Sequence, residues 1–191
     1  MNCRAMDLRI LALALVLFGT GCGAMRTTQF TNTDFNFGFV ERVAIVPLEN
    51  LSQDNQAGVR ATRLLATQLL STGAVDVVEP GEVTAALNRL SGASLTPSTE
   101  QLVALGKALN VQAIILGTVA QSNSALSGRV SVPVVTIDLH MVEVETGAPV
   151  WAATQSQRGS SAGARFLGTS GEPLAETTRR CTKELVARLV R

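Results

Sequence analysis

The sequence predicts an α/β fold, a mixed sheet flanked by helices in the order β-α-β-α-α-β-β-β-α. Three observations predict it. Two short, nearly continuous apolar runs, RVAIVPL at 42–48 and AIILGTV at 113–119, have the composition of strands buried on both faces, the habit of parallel pairing. Amphipathic helical stretches separate and follow them. Late in the chain the turn Glu145-Thr146-Gly147-Ala148 joins two further apolar runs, the mark of an antiparallel hairpin. Parallel pairing is therefore expected first and antiparallel pairing last.

Each element has its own reason. Arg42–Leu48 reads as a buried strand ended by Pro47, and Glu49–Gln56 (ENLSQDNQ) is a loop of turn formers. A first helix falls at Ala57–Leu70. Ala61, Leu64, Leu65, Ala66 and Leu69 share one face, Arg60, Arg63 and Gln68 lie off it, and Gly73 stops it. A short strand at Val75–Val78 follows. Pro80 suits the first turn of a second helix through Gly81–Leu90, and Ser91–Pro97 is a loop. Ser98, with Gln101 three places on, has capping-box spacing for a third helix whose stripe is Leu102, Leu105 and Leu109. Gly106 in that helix marks a point of close packing.

After the strand Ala113–Val119, polar Gln121–Gly128 reads as a turn-rich link. Val130–Val144 is one long strand whose apolar parity changes twice, from Val130, Val132 and Val134 to Val135, Ile137, Leu139 and Met141, then to Val142 and Val144. A strand that switches its buried face is expected to bulge or bend at each switch, and Pro133 puts the first at a sheet edge or bulge. A strand at Pro149–Ala153 and a Ser/Gly-rich stretch at 155–172 precede the last helix, Glu172–Val190. Its stripe is Leu174, Thr178, Cys181, Leu185 and Leu189, which makes Cys181 a core residue, while Arg179, Arg180, Lys183 and Arg188 form a solvated face.

Composition narrows the function. The chain has 191 residues, the scale of one domain, with 46% apolar and 16% charged residues. That is too apolar and too weakly charged for a disordered chain. Sixteen basic against fifteen acidic residues give a net charge of +1, so no nucleic-acid partner is expected. One His and three Cys leave little for a metal site.

Residues 1–21 read as an export signal, with Arg4 and Arg9 ahead of the apolar run Ile10–Phe18, which is too short to span a bilayer. Gly19, Thr20 and Gly21 then lead to Cys22 in a pattern that resembles a bacterial lipobox, although Gly19 stands where Leu is usual. By that resemblance Cys22 carries a diacylglyceryl group and becomes the new N-terminus; the alternative is an ordinary cleaved signal. Gly23, rather than Asp, after the Cys favours the outer membrane in the same resemblance. Removal of 1–21 takes away Arg4, Arg9 and Asp7, leaving a neutral chain with Cys181 as its one remaining unmodified thiol, so no internal disulfide is expected.

Residues 22–39 read as a lipidated tether and 40–191 as a single interaction domain. The tether is polar, yet it holds Phe30, Phe35, Phe37 and Phe39, four of the six Phe in the chain. Phe35, Phe37 and Phe39, spaced by two, fit either a short edge strand or a docking segment for a partner.

RVAIVPLENLSQD, VDVVEPGEV, LGKALNVQAIILGTV and IDLHMVEVETGAPVW, with a closing helix, resemble the CsgG/LpoB/TolB-N-terminal group of bacterial envelope lipoproteins over roughly Val40–Arg191. The resemblance implies an α/β outline like that of nucleotide hydrolases without catalytic residues, and members that act by binding. Channel-forming members insert two long amphipathic hairpins, whose spanning strands need ~9–11 alternating residues. The corresponding links here, Gln121–Arg129 and Gln155–Glu172, are short or polar. The resemblance therefore implies a periplasmic lipoprotein, anchored in the outer membrane, that binds an envelope protein partner and regulates or assembles its machine, as peptidoglycan-synthase activators do. The alternative is a structural subunit of an oligomeric curli-type secretion or outer-membrane complex, in which the partner is a second copy of the chain.

Chemistry finds little support. His140 and Asp138 share one face of a strand, a pairing that serves general base catalysis, but no nucleophile signature accompanies them. Glu143 and Glu145 share a face at a strand end, and the Gly-rich run Gly159–Gly171 lacks a phosphate-loop pattern. No catalytic residue, no metal and no cofactor are expected, apart from the covalent lipid on Cys22.

Overall fold

The computed structural model describes residues 27–91, 97–127, 130–159 and 172–190. In chain order the elements are β1 (Thr27–Thr31), a short 3-10 turn (Phe37–Phe39), β2 (Arg42–Ile45), β3 (Glu49–Asn50), α1 (Ala57–Thr72) and β4 (Asp76–Val77). There follow α2 (Pro80–Ser91), α3 (Thr99–Leu109), β5 (Ala113–Ser127), β6 (Val130–Glu143), β7 (Pro149–Arg158) and α4 (Leu174–Leu189). One mixed sheet runs β1-β7-β6-β5-β2-β4, with β3 also on β5. β2 and β3 run parallel to β5, and β4 parallel to β2; β5, β6, β7 and β1 alternate in direction. The expected α/β architecture and element order hold, with β1 and β3 added.

Both sheet faces are covered at its parallel end, which explains the continuous apolar runs. Val43, Ile45, Ala113, Ile115, Ile137, Leu139, Met141 and Trp151 meet α1 through Ala61, Leu65 and Leu69, and α4 through Cys181, Leu185 and Val186. On the opposite face Ala44, Val46, Ile114, Leu116, Val142 and Val144 meet α2 through Val83 and Leu87, and α3 through Leu102, Leu105 and Leu109.

The helix ends follow their signals. Gly73 closes α1 at φ +65°, and the capping box of α3 is present: the Gln101 N–H donates to Ser98 Oγ at 3.3 Å and the Ser98 N–H to Gln101 Oε1 at 2.8 Å. Gly106 is a close-packing point, since a Cβ there would lie 2.2 Å from Val144 Cγ2.

Four expectations are corrected. The N-terminal strand is Thr27–Thr31 and not Phe35–Phe39, so the domain begins ahead of residue 40 and absorbs most of the segment read as a tether. Asn32 Oδ1 accepts the Asp34 N–H and Asn36 Oδ1 accepts the Gly38 N–H, and these side-chain turns displace a strand whose Phe spacing mimics one. The link at Gln121–Gly128 is instead the far half of β5, paired with β6 as far as Ser127↔Val130. Its polarity reflects a partly open sheet rather than a turn.

The parity changes in β6 are no bulges of that strand. It stays regular: Val135, Ile137, Leu139 and Met141 face the core under α1 and α4, whereas Val142 and the following Val144 join the core under α2 and α3. The extra residues sit in its neighbours, at Ala120 in β5 and Val150 in β7. Pro133 lies just past the last pair with β7, Val134↔Arg158, where its missing N–H is tolerated. Finally, β7 continues to Arg158 with Gln155 and Gln157 each 3% exposed, so polar residues extend a strand that the apolar pattern stops at Ala153.

Candidate functional site

The aromatic segment is divided by the fold. Phe35 and Phe37 meet edge to face, centroids 4.9 Å apart at 88°, and pack half-buried against the core under α1 and α4. Phe39 and Phe30 are 53% and 51% exposed. Phe30 pairs with Ala152 on β1, the edge strand, whose outer side has no strand partner among the described residues. Of the three candidate docking residues, Phe39 remains a surface residue, while Phe35 and Phe37 serve the core.

The row Phe30, Ala152, His140 and Leu116 crosses four strands on one sheet face, and the row Thr28, Thr154, Asp138 and Thr118 lies beside it. His140 is exposed, and partial desolvation lowers its pKa from the ordinary imidazole value. Thr154 Oγ1 donates to Asp138 Oδ1 at 2.5 Å, so the carboxylate is engaged across the sheet by a hydroxyl. Glu143 accepts from Thr146 Oγ1 at 2.6 Å and steadies the β6–β7 turn. The described part of this face therefore offers polar contacts and two exposed rings, Phe30 and His140, without a nucleophile next to the imidazole.

A polar cluster that the sequence reading did not single out lies in the loop before α1. Asp54 is paired with Arg60, and Ser122 Oγ donates to Asp54 Oδ2 at 3.0 Å. The Arg60 hydrogen bond, ahead of the opposing effect of burial, holds the Asp54 pKa below its ordinary value, helped by the Gln56 N–H and Ser122. The cluster ties the β3–α1 loop to the far half of β5. The turn-rich string SQDN announced the loop but not this partner, 68 residues away in sequence.

Cys181 is fully buried, its Sγ donates to the Gln155 carbonyl at 3.3 Å, and burial pushes the thiol pKa up to about 12. Such a thiol is inert at neutral pH. Arg179 and Arg180 pair with Glu176 and Glu172 at 2.5 Å and 2.8 Å. Among the described residues no group of three His, Cys, Asp or Glu is placed to hold a metal, and no helix is long and apolar enough to cross a membrane. Cys22, the signal segment and most of the Gly-rich run lie outside the described residues.

Comparison with known proteins follows the fold. The model of the family described as peptidoglycan-synthase activator LpoB matches residues 28–156, from β1 to near the end of β7. No curated protein matches the chain in sequence. Among solved structures, the PelC dodecamer from Paraburkholderia phytofirmans is 19% identical, with 86% of this chain and 96% of that chain covered at a TM-score of 0.61. Lipoprotein GNA1162 from Neisseria meningitidis is 18% identical, with 78% and 99% covered at a TM-score of 0.54. At these identities the likeness is one of fold alone. The wider grouping with CsgG and TolB finds no support here. The match over residues 28–156 takes in well over half of the sequence and the whole central sheet except β1's first residue and the end of β7, and the chain belongs to the LpoB family.

Proposed function

We propose that this chain activates a peptidoglycan synthase by binding it, as a periplasmic lipoprotein held to the outer membrane by acyl groups on Cys22 after removal of residues 1–21. The family match over residues 28–156 carries the reading. The engaged Asp138 and the inert Cys181 support a role that involves contact and no reaction of its own. It needs no cofactor and no metal. Exposed Phe39, and exposed Phe30 on β1, whose outer side has no strand partner among the described residues, are the residues we assign to the partner.

The test is reconstitution. A bifunctional peptidoglycan synthase from the same cell should polymerise glycan faster when the purified chain is added, and His140→Gln should activate as well as the parent. An unchanged rate together with no detectable complex would overturn the proposal. Intact mass of the protein extracted from cells reads the acylation separately.

A second reading is a homo-oligomeric ring. The similar fold from Paraburkholderia phytofirmans forms a dodecamer, and the outer side of β1 has no strand partner among the described residues. Mass photometry of the detergent-extracted protein decides between a monomer and a ring.

A further inference from the structure

The sheet ends on two edges that differ in kind. On one, β4 is two residues long and opens with exposed Asp76. A very short strand that carries a charge is a common protection of an edge against further pairing. The other edge, β1, is five residues long and reads TTQFT. It has no charge, no Pro and no bulge against β7, and Thr28, Gln29, Phe30 and Thr31 are exposed. Its outer side has no strand partner among the described residues.

The ladder fixes which backbone groups that outer side presents. The Asn32 N–H donates to the Val150 carbonyl at 2.9 Å. This marks Asn32 and Val150, and with them Phe30↔Ala152 and Thr28↔Thr154, as the pairs that exchange hydrogen bonds across to β7. The N–H and C=O groups of the alternate residues, Thr27, Gln29 and Thr31, therefore point away from β7. That row is symmetric about Gln29. When two β1 strands pair antiparallel around this residue, Gln29 lies opposite Gln29 of the second copy, and Thr31 lies opposite its Thr27. Every outward donor then meets an outward acceptor.

The side chains suit the same occupant. No like charges oppose each other, and the two Gln29 amides stand side by side on one face. On the other face each Phe30 lies opposite Thr28 of the second copy. The two Phe30 are diagonal neighbours, about 7–8 Å apart, so a ring that is 51% exposed in one copy becomes half of an aromatic pair.

We infer that two copies of this chain associate through β1 about a two-fold axis at Gln29, which joins their sheets into one. The edge is complementary to itself in backbone, in charge and in side-chain size, and this selects a second copy over an unrelated strand. A five-residue strand pair covers less area than a stable dimer needs, so the association is weak and reversible. It rests neither on the synthase reading nor on acylation. It also differs from a ring, because a two-fold contact closes at two copies.

Disulfide trapping in the cell envelope tests the register. Residues opposed in a hydrogen-bonded pair have Cα atoms about 5.5 Å apart, within reach of a disulfide. The full chain with Gln29→Cys, treated with a mild oxidant, should give a two-copy product on a non-reducing gel, and mass spectrometry of its peptides should place the link at position 29 of both copies. Buried Cys181 keeps its proton and stays out of the reaction, and the parent chain sets the background. Thr28→Cys alone should be trapped at least roughly fivefold less, because its counterpart lies on the diagonal, beyond about 7 Å. Thr28→Cys and Phe30→Cys expressed together should link to each other. Gln29→Lys sets like charges opposite one another. It should melt as the parent does, yet sediment as a monomer, in density-matched detergent, at concentrations where the parent's average mass rises toward two copies. Absence of the link at position 29 would overturn the inference, as would equal trapping at positions 28 and 29. A parent that stays monomeric throughout, or a Gln29→Lys protein that still associates, would overturn it too.

Discussion

Gly106 in α3 faces Val144, and the pair allows a sharp test of how that helix is seated. Changing Gly106 to Ala should favour the helix by about 1 kcal/mol on intrinsic grounds. The structure opposes that gain. A Cβ at this position would lie 2.2 Å from Val144 Cγ2, 2.6 Å from Cγ1 and 3.0 Å from Cβ. Rotation of Val144 only exchanges its methyls, and the residue is 7% exposed, so it has nowhere to retreat. Overpacking of this kind costs about 1–3 kcal/mol and more when the neighbour is fixed. The expected net effect of Gly106→Ala is therefore a loss of about 1–2 kcal/mol, or a melting temperature lower by roughly 3–6 °C. Val144→Ala alone should cost about 2 kcal/mol through its lost methyls and the space they leave. In the double variant the new Ala methyl occupies part of that space. The two changes should then couple by at least ~1.5 kcal/mol, leaving the double variant no less stable than Val144→Ala. Urea unfolding of the four proteins, compared at equal m, measures this. A Gly106→Ala protein as stable as the parent, or strict additivity in the double variant, would refute the packing argument.

Other outcomes are equally specific. The folded Cys181 thiol keeps its proton up to about 12, whereas the unfolded chain releases it near ~8.5, so stability should fall as pH rises between those values, by ~5 kcal/mol in the limit. Urea melts from about pH 8 to about pH 11 should show this slope in the parent and a weaker one in Cys181→Ala, the difference between the two reporting the thiol. Asp54 has a lowered pKa, so its stabilisation is present above the ordinary carboxylate range and fades as pH falls through the folded value; Arg60→Gln should move the acid-unfolding midpoint to higher pH. Phe37→Ser should lower the melting temperature by an amount worth about 1–3 kcal/mol, since the ring packs on the core. Phe39→Ser should stay within about 0.5 kcal/mol of the parent and weaken capture of the synthase instead.

The elements that local chemistry dictates were legible in the sequence. β2 and the inner half of β5 are apolar on both faces because helices cover both, and α3 announces its start by Ser98 and Gln101. Cys181 was placed in the core by its spacing alone. What escaped depended on distant partners. The outer half of β5 is polar, with Ser122 buried and engaged by the Asp54–Arg60 pair, so its pattern reads like a link, and only pairing with β6 makes it a strand. β1 has no apolar alternation of its own and exists by pairing with β7. Thr62 is buried in α1 because its hydroxyl accepts the Leu48 N–H at 2.9 Å and donates to the Gly58 carbonyl at 2.8 Å, a tie that no helical periodicity shows. The even spacing of Phe35, Phe37 and Phe39 suggests one edge strand or one docking unit, whereas Asn36 folds the backbone so that Phe37 turns inward and Phe39 stays out.

The early start of the sheet has a bearing on geography. With the anchor on Cys22 as proposed, only five peptide steps separate the lipid from Thr27, the first residue of β1. Fully stretched, at ~3.3–3.6 Å per residue, that leash extends about 17 Å. The folded body would therefore hover within little more than one domain radius of the bilayer surface. A synthase working at a distance would have to bring its own domain to the membrane to be met, because this short mooring gives the chain almost no reach.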